Sequence, residues 1–252
     1  MAHLQRLVIT PTQRQDSHIS LTDAQQHYLV RVLRLGSGDC FIAMDGQGSW
    51  WLCELAASLS QAKIIESISV ETELPLEVTL MVAMPKGSGF EQVVSQATEL
   101  GVTTIMPVKS DRTLLNPSNR KLERWRRLTQ EAAEQSERQV VPTVLEPVDF
   151  TTAIQLTDTP NTHRYICVAR GDAPHLLNCL LDKELLWETV QPHNYQPLSI
   201  VVATGPEGGW TVAEVEQATA AGFKLVSLGN RILRAVTAPI VAISLVAALN
   251  NK

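Results

Sequence analysis

The sequence predicts an α/β protein in two parts: a small β-barrel module over residues 1–72, then a mostly parallel sheet with helices on both faces over 73–252. Three observations carry this expectation. Short β-branched and aromatic runs, broken by turn residues, fill the first part. Beyond Leu76, strand-like runs alternate with stripes of helical period, the alternation that produces a parallel sheet. Near the C-terminus, two glycine-containing loops each follow an apolar run, so the ends of neighbouring strands form a crevice where open α/β sheets take ligands.

In the first part the strand-like runs are Arg6–Thr10, Cys40–Met44, Trp50–Leu55 and Ala62–Val70, with Asp45-Gly46 as a hairpin dipeptide between two of them. Thr22 can cap a short helix over Asp23–Val30. Arg31 and Arg34 follow it, flanking Val32 and Leu33. Adjacent strand residues face opposite ways, so at least one of Trp50 and Trp51 belongs in a core, and the other is available to stack on a base.

Glu71–Glu77, with Pro75, reads as the linker. A strand over Leu76–Met84 leads into the turn Pro85–Gly89, which carries Lys86. Phe90, Val93, Val94, Ala97 and Leu100 form one helical face that Gly101 ends, followed by a strand over Thr103–Val108 and the polar loop Ser110–Thr113. Ser118 opens a helix striped by Leu122, Trp125, Leu128 and Ala132. Its basic residues come first and Glu131, Glu134 and Glu137 last, against the preference of the helix dipole. A strand over His163–Ala169 and a helix over Asp172–Leu181 precede the connector Asp182–Pro197.

The last stretch carries most of the chemistry. A buried-type strand over Ile200–Thr204 ends in Gly205-Pro206-Glu207-Gly208-Gly209, where three glycines let backbone approach a ligand. Thr211 and Glu214 make a capping box for a helix that Gly222 ends. A strand over Lys224–Leu228 feeds Gly229-Asn230-Arg231, and a final helix over Thr237–Leu249 is apolar on nearly every side, hence buried or at a subunit interface. Taken alone, these loops fit either a backbone-held ligand or plain tight turns, for they match neither a phosphate-binding loop nor a dinucleotide fingerprint.

Hydrophobic residues make up 44% of the chain, as in an ordinary globular protein. No signal-peptide pattern opens the chain and no apolar run spans a bilayer, so we expect a cytoplasmic protein without membrane contact. Four scattered cysteines and six histidines lack ligand spacing, so no metal is expected. The net charge of −5 conceals a local excess: from Lys109 to Arg127 there are seven cations against two anions. Such a run is a phosphate-binding face or a solvated helix face.

GPEGGW (205–210) and AAGFKLVSLGNRILR (220–234) closely resemble the RsmE family of knotted SPOUT-class RNA methyltransferases. HYLVRVLRLGSGD (27–39), ATELGVTTIMPV (97–108) and RWRRLTQEAAEQSERQVVP (124–142) resemble it too, in the same order, so the likeness covers nearly the whole chain. It implies a deep trefoil knot, a PUA-like RNA-binding module at the N-terminus and methylation of N3 of a uridine in the decoding region of 16S rRNA, with S-adenosyl-L-methionine as donor. It also implies a homodimer paired through the C-terminal helix, and places the segment around Gln135 and Ser136 at the catalytic cleft.

Carried onto this sequence, the donor site comprises Val202, Ala203, Thr204, Gly205, Gly208 and Gly209, then Leu228 and Gly229, then Ile232, Leu233, Thr237 and Ala238. Arg234 is the candidate catalytic residue: arginine stays charged, so it would stabilise negative charge developing on the uracil oxygens, unless it forms a salt bridge with Glu207. Arg31, Arg34, Lys86, Arg112, Arg120, Lys121 and Arg124 are the candidate RNA contacts. The family usually reads ILRTETA where this chain has Ala235 and Val236, and a lysine where it has Gln96. A non-catalytic RNA-binding or ribosome-assembly protein on the same fold is therefore the rival reading. A phosphate-binding nucleotide enzyme is the third, weakened because no lysine or metal-ligating carboxylate follows GPEGG at the spacing of a phosphate-binding loop.

Overall fold

The computed structural model describes residues 4–181 and 198–249; the connector 182–197, with Trp187 and His193, lies outside the described residues. The chain forms two compact units. The first runs to Glu73 and also takes Gln130–Val141; the second holds Leu74–Thr129 and the chain from Pro142 onward.

The first unit is built on β1 (Arg6–Val8), β2 (Arg14–Gln15), β3 (His18–Ser20), β4 (Cys40–Met44), β5 (Trp50–Leu55) and β6 (Gln61–Ile68). They form one sheet in the order β1-β4-β5-β6-β3-β2, antiparallel except for β1 on β4. The strands β2 and β3 are too short to show an alternation and were not foreseen. Helix α1 (Asp23–His27) starts at the capping box of Thr22 and Gln25 and widens into a π turn over Tyr28–Val32. Trp50 and Trp51 are both buried, at 3% and 7% exposure, because both faces of the sheet are covered. Trp51 packs with Leu7, Phe41 and Leu55, and Trp50 with Ile42 and Met44.

The acidic end of the basic helix has a local reason. Glu134 accepts the Val8 N–H at 2.7 Å, and Glu137 pairs with Arg6 at 2.8 Å. Arg138, 3% exposed, forks onto Glu73. Burial pushes the Glu134 carboxyl above its ordinary pKa, although the Val8 N–H pulls the other way.

The second unit contains β7 (Glu77–Ala83), β8 (Thr104–Lys109), β9 (Thr143–Val144), β10 (Val148–Asp149), β11 (Thr162–Cys167), β12 (Ser199–Thr204) and β13 (Lys224–Val226). Every pairing is parallel, in the order β10-β8-β7-β12-β11-β13, with β9 also on β8. The helices are α2 (Gly89–Glu99), α3 (Asn119–Gln135, whose end from Gln130 belongs to the first unit), α4 (Phe150–Leu156), α5 (Leu176–Leu180), α6 (Val212–Ala220) and α7 (Thr237–Ala248). Successive β12 residues feed two cores: Ile200 and Val202 meet residues of α2, α5 and α7, while Val201 and Ala203 meet α4 and α6. These are the two helical layers expected on a parallel sheet. The sequence reading assigned no element to residues 143–156, where Asp149 caps α4 by accepting the Thr152 N–H at 2.8 Å.

Although β13 sits at the sheet edge, α7 packs on α2, α5, β7 and β12 nearer the middle. The chain must therefore return across β11 after leaving the edge. It does so beside the connection that follows β11: Ser227 N–H donates to Pro174 O at 2.8 Å, and Leu176 N–H to Ser227 O at 2.9 Å. Within the subunit α7 already buries Ala242, Ile243 and Val246 completely. Thr237, Val241, Ser244 and Ala248 lie on its less buried side.

Candidate functional site

A cleft of about 770 Å³ opens over the carboxyl ends of β11, β12 and β13, a size ordinary for small-molecule sites. Three strand ends supply its walls: Cys167–Arg170 after β11, Gly205–Val212 after β12, and Leu228–Leu233, without Asn230, after β13. Ala235 and Ala238 close one side at the start of α7, and Arg112 reaches in from the loop after β8.

The first loop is fixed from several directions. Glu207 accepts the Lys86 N–H at 2.9 Å, tying the loop to the turn after β7. Arg112 Nη1 donates to the Gly208 carbonyl at 2.6 Å. Glu214 is 4% exposed and accepts from Thr211 N–H (2.7 Å), the Thr211 hydroxyl (3.0 Å) and Asp111 N–H (2.9 Å). The capping box read in the sequence thus does a second job, since the same carboxylate fastens the loop after β8 to the loop after β12.

Glycines give the cleft its main-chain character. At Gly209 (φ +68°) and Gly229 (φ +106°) the backbone is left-handed, and a Cβ would enter open space. At Gly205 a Cβ would stand 3.3 Å from Trp210 Nε1, so the loop backbone packs closely beside the indole. Gly208 differs, because a Cβ there would come within 3.0 Å of Arg112 Cδ. Two polar atoms in this region, Thr204 Oγ1 and Trp210 Nε1, are buried without a hydrogen-bond partner. Burial pushes the Cys167 thiol up to about 12, so it stays protonated in the cleft.

The structure gathers Gly205, Gly208, Gly209, Leu228, Gly229, Ile232, Leu233 and Ala238 into this one cleft. Val202, Ala203 and Thr204 are fully buried in β12 beneath it, and Thr237 stands outside its lining. Arg234 is exposed beside the lining residues Leu233 and Ala235, and its carbonyl caps α7 by accepting from Thr237 and Ala238 N–H at 2.9 Å. The salt bridge to Glu207 is not formed. Gln135 and Ser136 do not line the cleft; they belong to the segment that packs with the first unit.

Of the basic candidates, Arg31, Arg34, Lys86 and Arg120 are exposed, Lys121 is half-buried, and Arg124 is exposed but pairs with Glu91 at 2.9 Å. Arg112 is held against the GPEGG loop, a position its loop assignment did not reveal. The sequence reading also missed the 167–170 wall, although it repeats the signal used elsewhere: an apolar strand running into a glycine, here Gly171 with φ +100°. Among the described residues no group of three or more His, Cys, Asp or Glu is placed to hold a metal ion, and no helix is long and apolar enough to cross a membrane.

A family model described as an RNA methyltransferase domain matches residues 72–247, and another, described as an RNA methyltransferase PUA domain, matches residues 21–66. Ribosomal RNA small subunit methyltransferase E of Synechocystis sp. is 48% identical over 97% of this chain and 77% of its own length. The Bacillus subtilis protein of that name is 31% identical over 96% and 95%. A crystal structure of this enzyme from Neisseria gonorrhoeae, bound to S-adenosyl methionine, matches with a TM-score of 0.82 at 29% identity over 98% of both chains. The second unit has the trefoil-knotted SPOUT fold and the first the PUA-like fold that the motifs led us to expect. Nearly the whole chain shares sequence and fold with these proteins, and it belongs to the ribosomal RNA small subunit methyltransferase E family.

Proposed function

We propose that this protein is an S-adenosylmethionine-dependent methyltransferase acting on N3 of a uridine in the 16S rRNA of the small ribosomal subunit. The observation that carries the reading is the three-walled, glycine-lined cleft on a chain whose relative of 29% identity is bound to S-adenosyl methionine. The cleft fits that ligand: Gly209 and Gly229 leave room where side chains would stand, and Leu228, Ile232 and Leu233 offer apolar walls. Arg170 and Arg231 are the cations at the cleft available to a carboxylate, since Arg112 is held on the Gly208 carbonyl. When bound, the donor supplies an electrophilic methyl group on a positively charged sulfur.

The chain's contribution is position and charge. Backbone from the loops after β12 and β13 would hold the donor so that the methyl carbon faces the uracil nitrogen in line. Arg234, exposed and without a side-chain partner among the described residues, would donate to a uracil oxygen as negative charge builds there. For RNA contacts we assign Arg31 and Arg34 on the first unit and Lys86, Arg120 and Lys121 on the second. Arg112 and Arg124 already serve Gly208 and Glu91. The less buried side of α7, centred on Val241 and Ser244, is the proposed face of a homodimer. Four free thiols accord with a cytoplasmic protein.

Ala235 lines the cleft as an apolar residue, which favours as second reading an RNA-binding protein that keeps the fold without turnover. Mass spectrometry of small-subunit rRNA from a deletion strain separates the two. The expected result is loss of one methyl on a uridine, restored by the wild-type gene and not by one encoding Arg234→Ala. Intact methylation in the deletion strain would overturn the proposal.

A further inference from the structure

The first unit carries a second recess, about 400 Å³ in volume, lined in part by Thr10, Arg14, Asp16, Asp45, Gln47 and Trp51. We propose that it binds an unpaired guanine base of the RNA, a nucleotide other than the one that receives the methyl group. The inference rests on the RNA-directed reading above.

The floor of the recess is a stacking platform. Arg14, on the edge strand β2, lays its guanidinium over the Trp51 ring at 4.4 Å from the centroid. Trp51 itself is 7% exposed, so the indole is fixed by the core behind it. Arg14 is exposed and pairs with no carboxylate among the described residues. Its outer face is therefore a flat, cationic surface of the kind on which splayed RNA bases stack.

One wall selects the base. Asp45 Oδ1 accepts the Gln47 N–H at 2.8 Å and the Ser49 N–H at 3.0 Å, which anchors the carboxylate on its turn. Its Oδ2 has no protein donor among the described residues. A carboxylate oxygen only accepts, so it chooses bases by the N–H groups they offer. Guanine presents an imino and an amino N–H side by side on its pairing edge, whereas uracil presents one N–H between two carbonyl oxygens. Facing Asp45, with Asp16 in the same recess, guanine is held and uracil is repelled. The same two carboxylates argue against a bare phosphate, which Arg14 alone would have to neutralise.

The experiment is fluorescence anisotropy of the full-length chain with labelled single-stranded pentaribonucleotides, one all uridine and one with a central guanosine. The guanosine oligomer is expected to bind more tightly. Arg14→Ala should weaken it roughly tenfold, the usual size of one base stack. Asp45→Asn keeps the oxygen that anchors the turn and turns the free acceptor into a donor, so it should remove the preference while circular dichroism stays native. Equal binding of both oligomers by the wild-type chain, or a preference that survives Asp45→Asn, overturns the site. A chain that methylates small-subunit rRNA but shows no guanosine preference refutes this inference alone. A chain that shows the preference and methylates nothing refutes the methyltransferase reading and leaves the base site standing.

Discussion

Glu214 offers the sharpest test of how the cleft is held. Its buried carboxylate accepts from two backbone N–H groups and one hydroxyl, and it fastens the loop after β8 to the loop after β12. Glu214→Ala leaves Thr211 N–H and Asp111 N–H without a partner, while the Thr211 hydroxyl can still use Asp111 Oδ2 at 3.1 Å. Hydrogen bonds to a charged acceptor are worth roughly 1.5–3 kcal/mol each, and water entering the gap offsets part of that. We expect a net loss of about 3 kcal/mol. At 2–4 °C per kcal/mol for a chain of this size, that lowers Tm by about 6–12 °C. Glu214→Gln keeps one accepting oxygen and should lose about half as much. Because the clamp holds a cleft wall, calorimetry should also show weaker binding of S-adenosylhomocysteine below the melting range. An alanine variant that melts within about 2 °C of wild type and binds with unchanged Kd would refute the clamp.

Gly208→Val should weaken S-adenosylhomocysteine binding at least about tenfold, because a side chain there displaces Arg112 and not because it fills the cleft; Gly208→Ala should lose less, and equal affinities by calorimetry would disprove it. Glu134→Gln tests the buried carboxylate. The folded-state pKa is raised, so the ionised form costs stability at neutral pH; the cost fades as pH falls through the raised value and is gone below the ordinary glutamate value. The variant should therefore melt higher than wild type at pH 7, with the gap closing near pH 4. Burial lifts Cys53 to about 11 and Cys167 to about 12, so native-state alkylation at pH 8, read by mass spectrometry, should mark only the half-buried Cys40 and Cys179. For the proposed dimer, Val241→Asp should shift sedimentation to folded monomer, whereas Val246→Asp, at a fully buried position, should unfold the subunit; a wild-type monomer at micromolar concentration refutes the pairing.

The elements legible in the sequence were those whose periodicity is long enough to register. The stripe Phe90, Val93, Val94, Ala97 became α2, and the apolar run ending at Thr204 became the central strand β12. Two-residue strands such as β2, β9 and β10 carry no period at all, and their existence depends on partners far along the chain. The cleft was readable where glycine replaced side chains, since a missing Cβ is a property of sequence. It was not readable at Arg112, because nothing local distinguishes a cation folded back onto a carbonyl from one facing solvent. The seven-cation run was seen correctly as a charge excess, yet Arg124 is committed to Glu91. The final helix, apolar on nearly every side, divides in the fold: α2, α5, β7 and β12 enclose Ile243 and Val246, while Thr237, Val241, Ser244 and Ala248 keep a less buried side, a division that its uniform composition does not show.

The departures from the family pattern acquire a physical meaning in the same region. Ala235 is 7% exposed, and Val236 packs against the main core of the second unit. Its Cγ2 lies only 2.9 Å from where a Cβ on Gly89 would stand. Gly89 opens α2, so the valine is accommodated by a residue without a side chain on the neighbouring element. Two positions where the family usually has a threonine and a glutamate are thus filled by residues that pack and cannot hydrogen-bond through their side chains. Beside these two apolar residues stands Arg234, whose own carbonyl caps the helix that begins three residues later. The helix start therefore sets the backbone from which the arginine projects. On the proposed reading, orientation of the base would rest on that backbone, and a substitution that loosens α7 is expected to slow methylation without touching donor or RNA.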